Sequence, residues 1–285
     1  MNYQHSYHAG NFADVIKHAV LSLILDAFHQ KESPFCFIDT HAGAGCYDIT
    51  SEHAQKTQEA EEGILKLLQD PKPPELLSSY LKVVRAAQLN PHNPTITQYP
   101  GSPWVADQWC RREDVMVLNE LHPESCRLLK RQFNARSNVY IHQREAYEFL
   151  PGVLPPKQKR GLILIDPPFE KPDEEHLLTQ GLERALEKFP QGVYLLWFPL
   201  TSRNPIWKPV PKLYGILKSH KTLTVTLRFT SLRSEEIGLI GTSLVLINPP
   251  YLLEEKLKVL LPYFLKIWGE TPSAGSFQLV KSGEN

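Results

Sequence analysis

The segment Gly161–Glu170 reads Gly-Leu-Ile-Leu-Ile-Asp-Pro-Pro-Phe-Glu. Its first five residues form a short apolar run, which is typical of a strand covered on both faces. Asp166 follows at the carboxyl end, the side on which open α/β sheets bind ligands. Pro167 and Pro168 stiffen the chain, so the Asp166 carboxylate and a backbone carbonyl can be held side by side as two acceptors. Phe169 adds an aromatic face on which a flat base can stack.

The pattern Asp/Asn/Ser-Pro-Pro-aromatic resembles the signature of methyltransferases that modify amino groups conjugated to a ring or carbonyl. The N6 nitrogen of adenine is a poor nucleophile because its lone pair is delocalised into the ring. Two acceptors on its hydrogens localise that lone pair, which can then attack a sulfonium methyl in line. Asp166 can accept the proton afterwards. Without other evidence, the tetrapeptide also fits a Pro-rich turn after a core strand.

A second tetrapeptide, Asn248-Pro249-Pro250-Tyr251, matches the same pattern. In a Rossmann-like methyltransferase the last strand runs antiparallel, so its carboxyl end points away from the ligand crevice. We therefore interpret the second copy as a structural turn.

The first strand, Phe35–Asp39, leads into Asp39-Thr40-His41-Ala42-Gly43-Ala44-Gly45. An acidic residue followed by small residues after a strand indicates the cofactor loop of Rossmann-type folds, where glycines let a ligand approach the backbone. The helix-packing glycine of the dinucleotide fingerprint is absent, and His41 replaces its first glycine. These departures favour S-adenosylmethionine, which carries no phosphate, over a pyrophosphate cofactor.

The remaining pattern predicts an α/β fold of the Rossmann-like class I S-adenosylmethionine-dependent methyltransferase type. Strands and helices alternate as far as Phe198, and two strands with a short link follow. This order predicts a mostly parallel seven-stranded sheet with an antiparallel edge strand. We expect residues 1–285 to form a single methyltransferase domain, with residues 47–100 as a helical insertion.

Three further stretches are candidates for cofactor binding. Ser102 is placed as a helix N-cap before Pro103, and the free amides of that helix can hold a carboxylate, although a structural cap fits equally well. Glu120 follows the strand Val115–Leu118, where a carboxylate can accept both ribose hydroxyls. Glu145-Ala146 follows the strand Val139–His142, the usual place for a contact to the cofactor's adenine.

A helix capped by Asn11 begins the regular structure, and its apolar residues recur at helical spacing. From this pattern alone, we expect Lys17 to be solvated and His18 to lie on the helix surface. His5 and His8 have no third ligand at a suitable spacing, so we predict no metal site.

The composition excludes several classes of protein. The 285 residues carry 31 basic and 31 acidic side chains, with a pI near 7.2, so any nucleic acid must bind a local patch. The four cysteines show no Cys-x-x-Cys pairing, and we find neither a signal peptide nor an apolar run that could span a membrane. We expect a cytoplasmic protein without a membrane partner. Eight cations can form a basic rim that binds phosphates, but they fit a solvated surface as well. They are Arg111, Arg112, Lys130, Arg131, Arg136, Lys157, Lys159 and Arg160.

Several motifs together resemble the RlmJ family, whose members methylate N6 of an adenine in bacterial 23S ribosomal RNA with S-adenosylmethionine. The likeness covers nearly the whole chain, and the His-rich N-terminal motif is specific to that family. The motifs are Tyr-x-His-Ser-x-His-Ala-Gly-Asn-x-Ala-Asp-Val-x-Lys-His at Tyr3–His18, Asp-Thr-His-Ala-Gly-Ala-Gly at Asp39–Gly45, Ser-Glu-His-Ala at Ser51–Ala54, Tyr-Pro-Gly-Ser-Pro at Tyr99–Pro103, Glu-Leu-His-Pro at Glu120–Pro123 and Arg-Gly-Leu-Ile-Leu-Ile-Asp-Pro-Pro at Arg160–Pro168.

The resemblance implies roles for individual residues. Asp166 would be the catalytic acceptor, Pro167 would supply a carbonyl and Phe169 the stacking face. The target nucleotide would meet Tyr3, His5 and Lys17, and together with a cofactor role for His18 this reverses the expectations for Lys17 and His18. The cofactor would be lined by His18, His41, Gly43, Ser102, Glu120, Glu145, Ala146 and Asp166.

Two positions depart from the family pattern. Phe169 stands where the family usually has Tyr, so stacking survives but a phenol hydrogen bond does not. Glu145-Ala146 stands where the family tends to have Asp-Gly, which shifts the adenine contact by a methylene group.

The expected partner is 23S ribosomal RNA, and we expect a monomer or weak dimer. An alternative is a DNA adenine-N6 methyltransferase or a DNA-directed role linked to use of external DNA. A third possibility is a non-catalytic nucleic-acid-binding protein, which binding of S-adenosylmethionine would argue against.

Overall fold

The computed structural model describes residues 4–88, 95–229, 238–269 and 275–283. Short 3-10 turns lie at His5–Tyr7 and Glu75–Leu77, and a π-helical turn lies at Glu61–Leu65. The strands are β1 Cys36–Asp39, β2 Cys46–Asp48, β3 Gln98–Pro100, β4 Val115–Asn119, β5 Val139–His142, β6 Gly161–Ile165, β7 Val193–Thr201, β8 Thr222–Phe229, β9 Leu239–Ile247 and β10 Gly275–Ser282. The helices are α1 Phe12–His29, α2 Glu52–Thr57, α3 Lys66–Leu68, α4 Ser78–Ala86, α5 Ser102–Asp107, α6 Pro123–Gln132, α7 Ala146–Val153, α8 Glu174–Lys188, α9 Pro211–Ser219 and α10 Leu253–Trp268.

The main sheet has the strand order β10-β8-β9-β7-β6-β1-β4-β5. Five neighbouring strands from β5 to β7 pair in parallel, whereas β9 pairs antiparallel with both β7 and β8. The predicted α/β class and mostly parallel sheet are confirmed, but the predicted count of seven strands is wrong. The eighth strand is β10, which pairs antiparallel with β8 and forms the edge. The other antiparallel strand, β9, lies inside the sheet.

Helices cover both faces of this sheet, which explains why β6 is apolar throughout and why β1 is apolar as far as Asp39. All five residues of β6 and all four of β1 are buried. One buried cluster packs α1, α5 and α10 against the sheet, and a second packs α7, α8 and α9 against the opposite face. Since both faces are covered, alternating polar residues would have no solvent to face.

The order of the central strands sets the position of the cofactor loop. β1 lies between β4 and β6, and the connections that leave β1 and β6 emerge at the same edge of the sheet. Parallel strands present their carboxyl ends together. The glycine loop after β1 and the Asp166 turn after β6 are therefore neighbours, although they are far apart in sequence.

Between β1 and β4, the chain forms the β2-β3 hairpin and the helices α2, α3 and α4. This region contacts the N-terminal segment through a close backbone approach. The amide of Ile64 donates to the carbonyl of Gly10 at 2.8 Å. A Cβ atom on Gly63 would lie 2.0 Å from that carbonyl oxygen, so only glycine fits there.

The second Pro-Pro turn lies at the opposite end of the sheet from the first. β9 runs antiparallel to β7, so Asn248 emerges beside the residues that precede β7. Its side-chain amide donates to the carbonyls of Pro190 at 2.7 Å and Gly192 at 2.8 Å. The interpretation of Asn248–Tyr251 as a structural turn is confirmed by this position.

None of the helices in the described ranges is long and apolar enough to cross a bilayer.

We expect Gly63→Ala to lower the free energy of unfolding by about 1–3 kcal/mol, because the added methyl group overpacks a backbone contact. The matched control is Gly215→Ala in α9, where an added Cβ meets no atom within 4 Å. That control removes a helical glycine and should raise stability by up to about 1 kcal/mol. Urea denaturation measures both changes, and equal effects of the two substitutions would contradict the close approach.

Candidate active site

A cavity of about 570 Å³ opens at the carboxyl ends of β1, β4, β6 and β7. Its lining includes side chains from both the glycine loop and the Asp166 turn. Tyr3 lies outside the described residues, so its predicted contact remains a prediction. The other predicted site residues that line the cavity are His5, Lys17, His18, His41, Gly43, Ser102, Glu120, Glu145, Ala146, Asp166, Pro167 and Phe169.

Asp39 fixes the beginning of the glycine loop. Its carboxylate accepts a hydrogen bond from the hydroxyl of Ser102 at 2.6 Å and another from the amide of His41 at 3.1 Å. Burial raises the pKa of Asp39 to about 7, and these two hydrogen bonds only partly oppose the shift. The predicted N-cap role of Ser102 is wrong by one residue. Gly101 is the N-cap, and the Ser102 hydroxyl binds Asp39 instead.

The middle of the glycine loop is held by Tyr47 and Glu120. The amide of Ala44 donates to the Tyr47 hydroxyl at 3.0 Å, and the amide of Gly43 donates to Glu120 at 2.8 Å. Gly43 has a φ of +61°, and a Cβ atom there would lie 1.9 Å from the Tyr47 hydroxyl oxygen. The second oxygen of Glu120 accepts from the amide of His122 at 2.7 Å. Glu120 therefore joins the β4 turn to the glycine loop.

Glu145 lines the cavity and caps the helix α7. One of its carboxylate oxygens accepts from the amides of Tyr147 at 2.7 Å and Glu148 at 3.1 Å, which makes it the N-cap of α7. Ala146 is the first residue of that helix and is buried. The ring of Tyr147 lies edge-on to His41, with 5.9 Å between ring centroids. Burial and the charge of Lys171 lower the pKa of His41 to about 3, so its imidazole is neutral at pH 7.

The Asp166 turn carries local strain and a cluster of aromatic rings. Phe169 has a φ of +49°, an uncommon conformation for a residue with a side chain, and strain of this kind is concentrated at functional sites. Its ring lies 6.1 Å from Trp197 and 5.5 Å from Phe198, measured between centroids. Trp197 also lines the cavity, and the sequence reasoning missed it.

Lys17 is buried between two carboxylates. Its ammonium group donates to Asp14 at 2.8 Å and also to Asp166, and only 4% of the residue is exposed. Burial lowers the pKa of Lys17, but Asp14 and Asp166 outweigh burial and raise it above its ordinary value. The expectation from helical pattern alone that Lys17 is solvated is wrong. Lys17 links the first turn of α1 to the turn after β6.

Asp14 connects this ion pair to the N-terminal segment. Its second oxygen accepts from His5 Nε2 at 2.9 Å and from the amide of Gly10 at 3.1 Å. Burial raises the pKa of Asp14, but His5 and Lys17 more than reverse that effect and hold it well below its usual value. Asp14 was not singled out in the sequence analysis. Its spacing of three residues from Lys17 was the available signal, since such pairs share a helix face.

His18 is buried as well, which corrects its expected position on the helix surface. Its Nδ1 atom lies 2.9 Å from the Tyr99 hydroxyl, which lies 3.1 Å from the Tyr80 hydroxyl. Burial, followed by the charge of Lys17, lowers the pKa of His18 to about 3. His18 therefore faces the cavity as a neutral imidazole whose orientation is set by Tyr99.

The predicted basic rim is wrong for most of its members. Arg111 pairs with Asp114, Arg136 pairs with Asp107, and Arg160 donates to backbone carbonyls at Ser33 and Phe28. These arginines, and the neighbouring Arg112, Lys157 and Lys159, precede β4, β5 or β6 and so lie at the amino ends of the strands, away from the cavity. Lys130 and Arg131 lie exposed in the last turn of α6.

Across the described ranges, no three His, Cys, Asp or Glu side chains are grouped to hold a metal ion.

Comparisons with known proteins agree with this arrangement. The model of the family described as Ribosomal RNA large subunit methyltransferase D, RlmJ, matches residues 32–280. The chain belongs to the RlmJ family. It is 38% identical over 269 residues to the Ribosomal RNA large subunit methyltransferase J of Escherichia coli (strain K12), covering 92% of each chain. The protein of the same name from Haemophilus influenzae is 36% identical over 266 residues, covering 93% of each chain.

A solved structure shares the whole fold. The crystal structure of a protein from Legionella pneumophila superposes with a TM-score of 0.87 at 31% identity, covering 97% of this chain and 99% of that one. The family resemblance noted from the sequence motifs is thus confirmed. The individual roles of the site residues stay predictions.

Because the pKa of Asp39 is raised in the folded protein, its contribution to the free energy of unfolding falls as pH rises between its unfolded and folded pKa values. Asp39 titrates near 3.8 when unfolded and near 7 when folded, so the folded protein binds the extra proton between these values. The stabilisation is complete below the lower pKa and is lost as pH rises through the higher one. We expect Asp39→Asn, which cannot ionise, to flatten this part of the profile, measured by urea denaturation between about pH 4 and about pH 8.

The exposed Asp173→Asn controls for the changed net charge and should keep the slope of the unaltered protein. If the free energy of unfolding of Asp39→Asn falls with pH as steeply as that of the unaltered protein, the raised pKa of Asp39 is contradicted.

Proposed function

We propose that this chain transfers a methyl group from S-adenosylmethionine to the exocyclic N6 of an adenine in 23S ribosomal RNA. The observation that carries the proposal is the opening of the glycine loop and the Asp166 turn into one cavity. Membership of the RlmJ family, and relatives named as ribosomal RNA large subunit methyltransferases, support the choice of RNA.

The cavity residues fit the methyl donor. S-adenosylmethionine supplies an electrophilic methyl group on a positively charged sulfur. Gly43 lines the cavity with backbone atoms alone, because the Tyr47 hydroxyl occupies the place where a side chain would lie. In this proposal the buried carboxylate of Glu120 accepts ribose hydroxyls. We assign the rest of the donor site to His18, His41, Ser102, Glu145, Ala146 and Asp166.

The target amine would be held by Asp166 and the carbonyl of Pro167, with Phe169 stacked on the base. The two acceptors localise the N6 lone pair, which forms a bond to the methyl carbon while the carbon–sulfur bond breaks and its electron pair stays on sulfur. The methylated nitrogen then loses a proton, which Asp166 can accept. Adenine must leave its stack to reach this depth, as in other enzymes that modify bases.

Lys17 positions the catalytic carboxylate. One oxygen of Asp166 is bonded to the Lys17 ammonium, so the other oxygen is the one that can face an amine. Asp14 and His5 hold Lys17 from the other side. In this proposal Lys17 and His5, together with Tyr3, contact the target nucleotide.

The wider assignment follows from the same proposal. We propose a single domain of residues 1–285 with an insertion at 47–100, acting as a monomer or weak dimer. A ribosomal RNA substrate implies action in the cytoplasm.

The experiment is transfer of labelled methyl from S-adenosylmethionine to ribosomal RNA from cells that lack the enzyme. We expect Asp166→Ala to lower kcat by about a hundredfold to a thousandfold, because an acceptor that acts on the reacting amine is lost. Tyr251→Ala is the matched control from the second Pro-Pro motif, and it should transfer methyl normally, because Tyr251 is 89% exposed and far from the cavity.

Mass spectrometry identifies the product, and competition with DNA decides between the two nucleic acids. Normal transfer by Asp166→Ala would remove Asp166 from its role. Failure of the unaltered protein to bind S-adenosylmethionine in calorimetry would favour a non-catalytic protein.

A further inference from the structure

The segment Ser202–Lys208, hereafter the 202–208 loop, follows β7 at the edge of the cavity. Thr201 and Gly238, which anchor the loop, both line the cavity. The amide of Ser202 donates to the carbonyl of Gly238 at 3.2 Å. The amide of Asn204 donates to the Thr201 hydroxyl at 3.1 Å, and the amide of Thr201 donates back to the carbonyl of Asn204 at 3.2 Å. The loop therefore begins in a hydrogen-bonded turn.

Trp207 anchors the other end of the loop to the aromatic cluster of the active site. Its ring stacks on Phe198 with 4.4 Å between centroids and 29° between planes. Phe198 in turn packs against Phe169. The 202–208 loop and the Asp166 turn are thus joined through the buried ring of Phe198, which packs between the partly buried rings of Trp207 and Phe169.

The outward side of the loop carries two cations and one aliphatic side chain. Arg203 and Lys208 are exposed, and neither has an ion pair or side-chain hydrogen bond within the described part of the chain. Ile206 lies between them in sequence and is 61% exposed. No Asp or Glu occurs from Pro199 to Lys212. By contrast, Lys212 pairs with Glu183 at the start of α9.

This combination fits single-stranded RNA better than an acidic protein surface. Unpaired cations beside a base-binding cavity provide contacts for the phosphates on either side of a target nucleotide. An exposed aliphatic side chain can pack against a neighbouring base and replace stacking lost when the target leaves its stack. The cations considered from sequence lie at the other end of the sheet, so any phosphates near the cavity must be met by other cations, among them Lys171, which lines it.

We propose that the 202–208 loop binds the RNA nucleotides that flank the target adenine. Arg203 and Lys208 pair with phosphates, and Ile206 packs against an adjacent base. This inference rests on the proposed function, because it places the target nucleotide in the neighbouring cavity.

The test compares the double variant Arg203→Ala, Lys208→Ala with the matched double variant Lys157→Ala, Lys159→Ala. Both remove two exposed positive charges, but the control pair precedes β6 at the far end of the sheet. With a 23S ribosomal RNA fragment as substrate, we expect the loop variant to raise KM about tenfold and to reduce the slope of log KM against log salt by about 1.4–1.8. The kcat at saturating RNA and the affinity for S-adenosylmethionine should persist.

The control pair should leave KM and its salt dependence unchanged. An equal rise in KM for both double variants, or no rise for the loop variant, would overturn the proposal. RNA binding is also measured by fluorescence anisotropy without methyl donor. This measurement tests RNA binding by the 202–208 loop independently of the proposed methyl transfer. Weaker binding in the loop variant alone supports the loop even where no methyl is transferred, and equal binding by all three proteins overturns it.

Discussion

A buried lysine shared by two carboxylates holds the site together. An ammonium group removed from water is tolerated only when it is paired, and losing one partner of such a pair typically costs about 3–5 kcal/mol. Lys17 meets this condition through Asp14 on its own helix and Asp166 after β6. This one lysine connects three parts of the chain: the N-terminal segment through Asp14 and His5, the helix α1, and the Asp166 turn.

The sheet supplies the second constraint. Because β1 and β6 are parallel neighbours, the turns that follow them must emerge side by side. One turn presents the backbone of Gly43 to the cavity, and the other is polar because Asp166 follows an apolar strand. A methyl donor over the first turn and an amine at the second would face each other across the cavity. The matching tetrapeptide at Asn248 lies at the other end of the sheet, away from the cavity, because β9 runs antiparallel to β7.

Local patterns in the sequence predicted the strands that bear the site, because the apolar runs of β1, β4, β5 and β6 are short and end in recognisable turns. Burial of Lys17 and His18 was not predictable from the helix alone. It depends on Asp166, 149 residues away, and on Tyr99 in β3. The edge strand β10 was missed because its residues are mostly exposed and give no core signal. The basic rim failed because composition does not reveal which end of a strand a cation occupies.

The most direct test of the shared cavity is a crystal structure with S-adenosylhomocysteine and an adenine nucleoside bound together. The account predicts the sulfur beside the glycine loop at Gly43, with N6 at hydrogen-bond distance, about 2.6–3.2 Å, from the Asp166 carboxylate. An adenine bound with N6 turned away from Asp166, or a donor bound outside the cavity that the glycine loop lines, would contradict it.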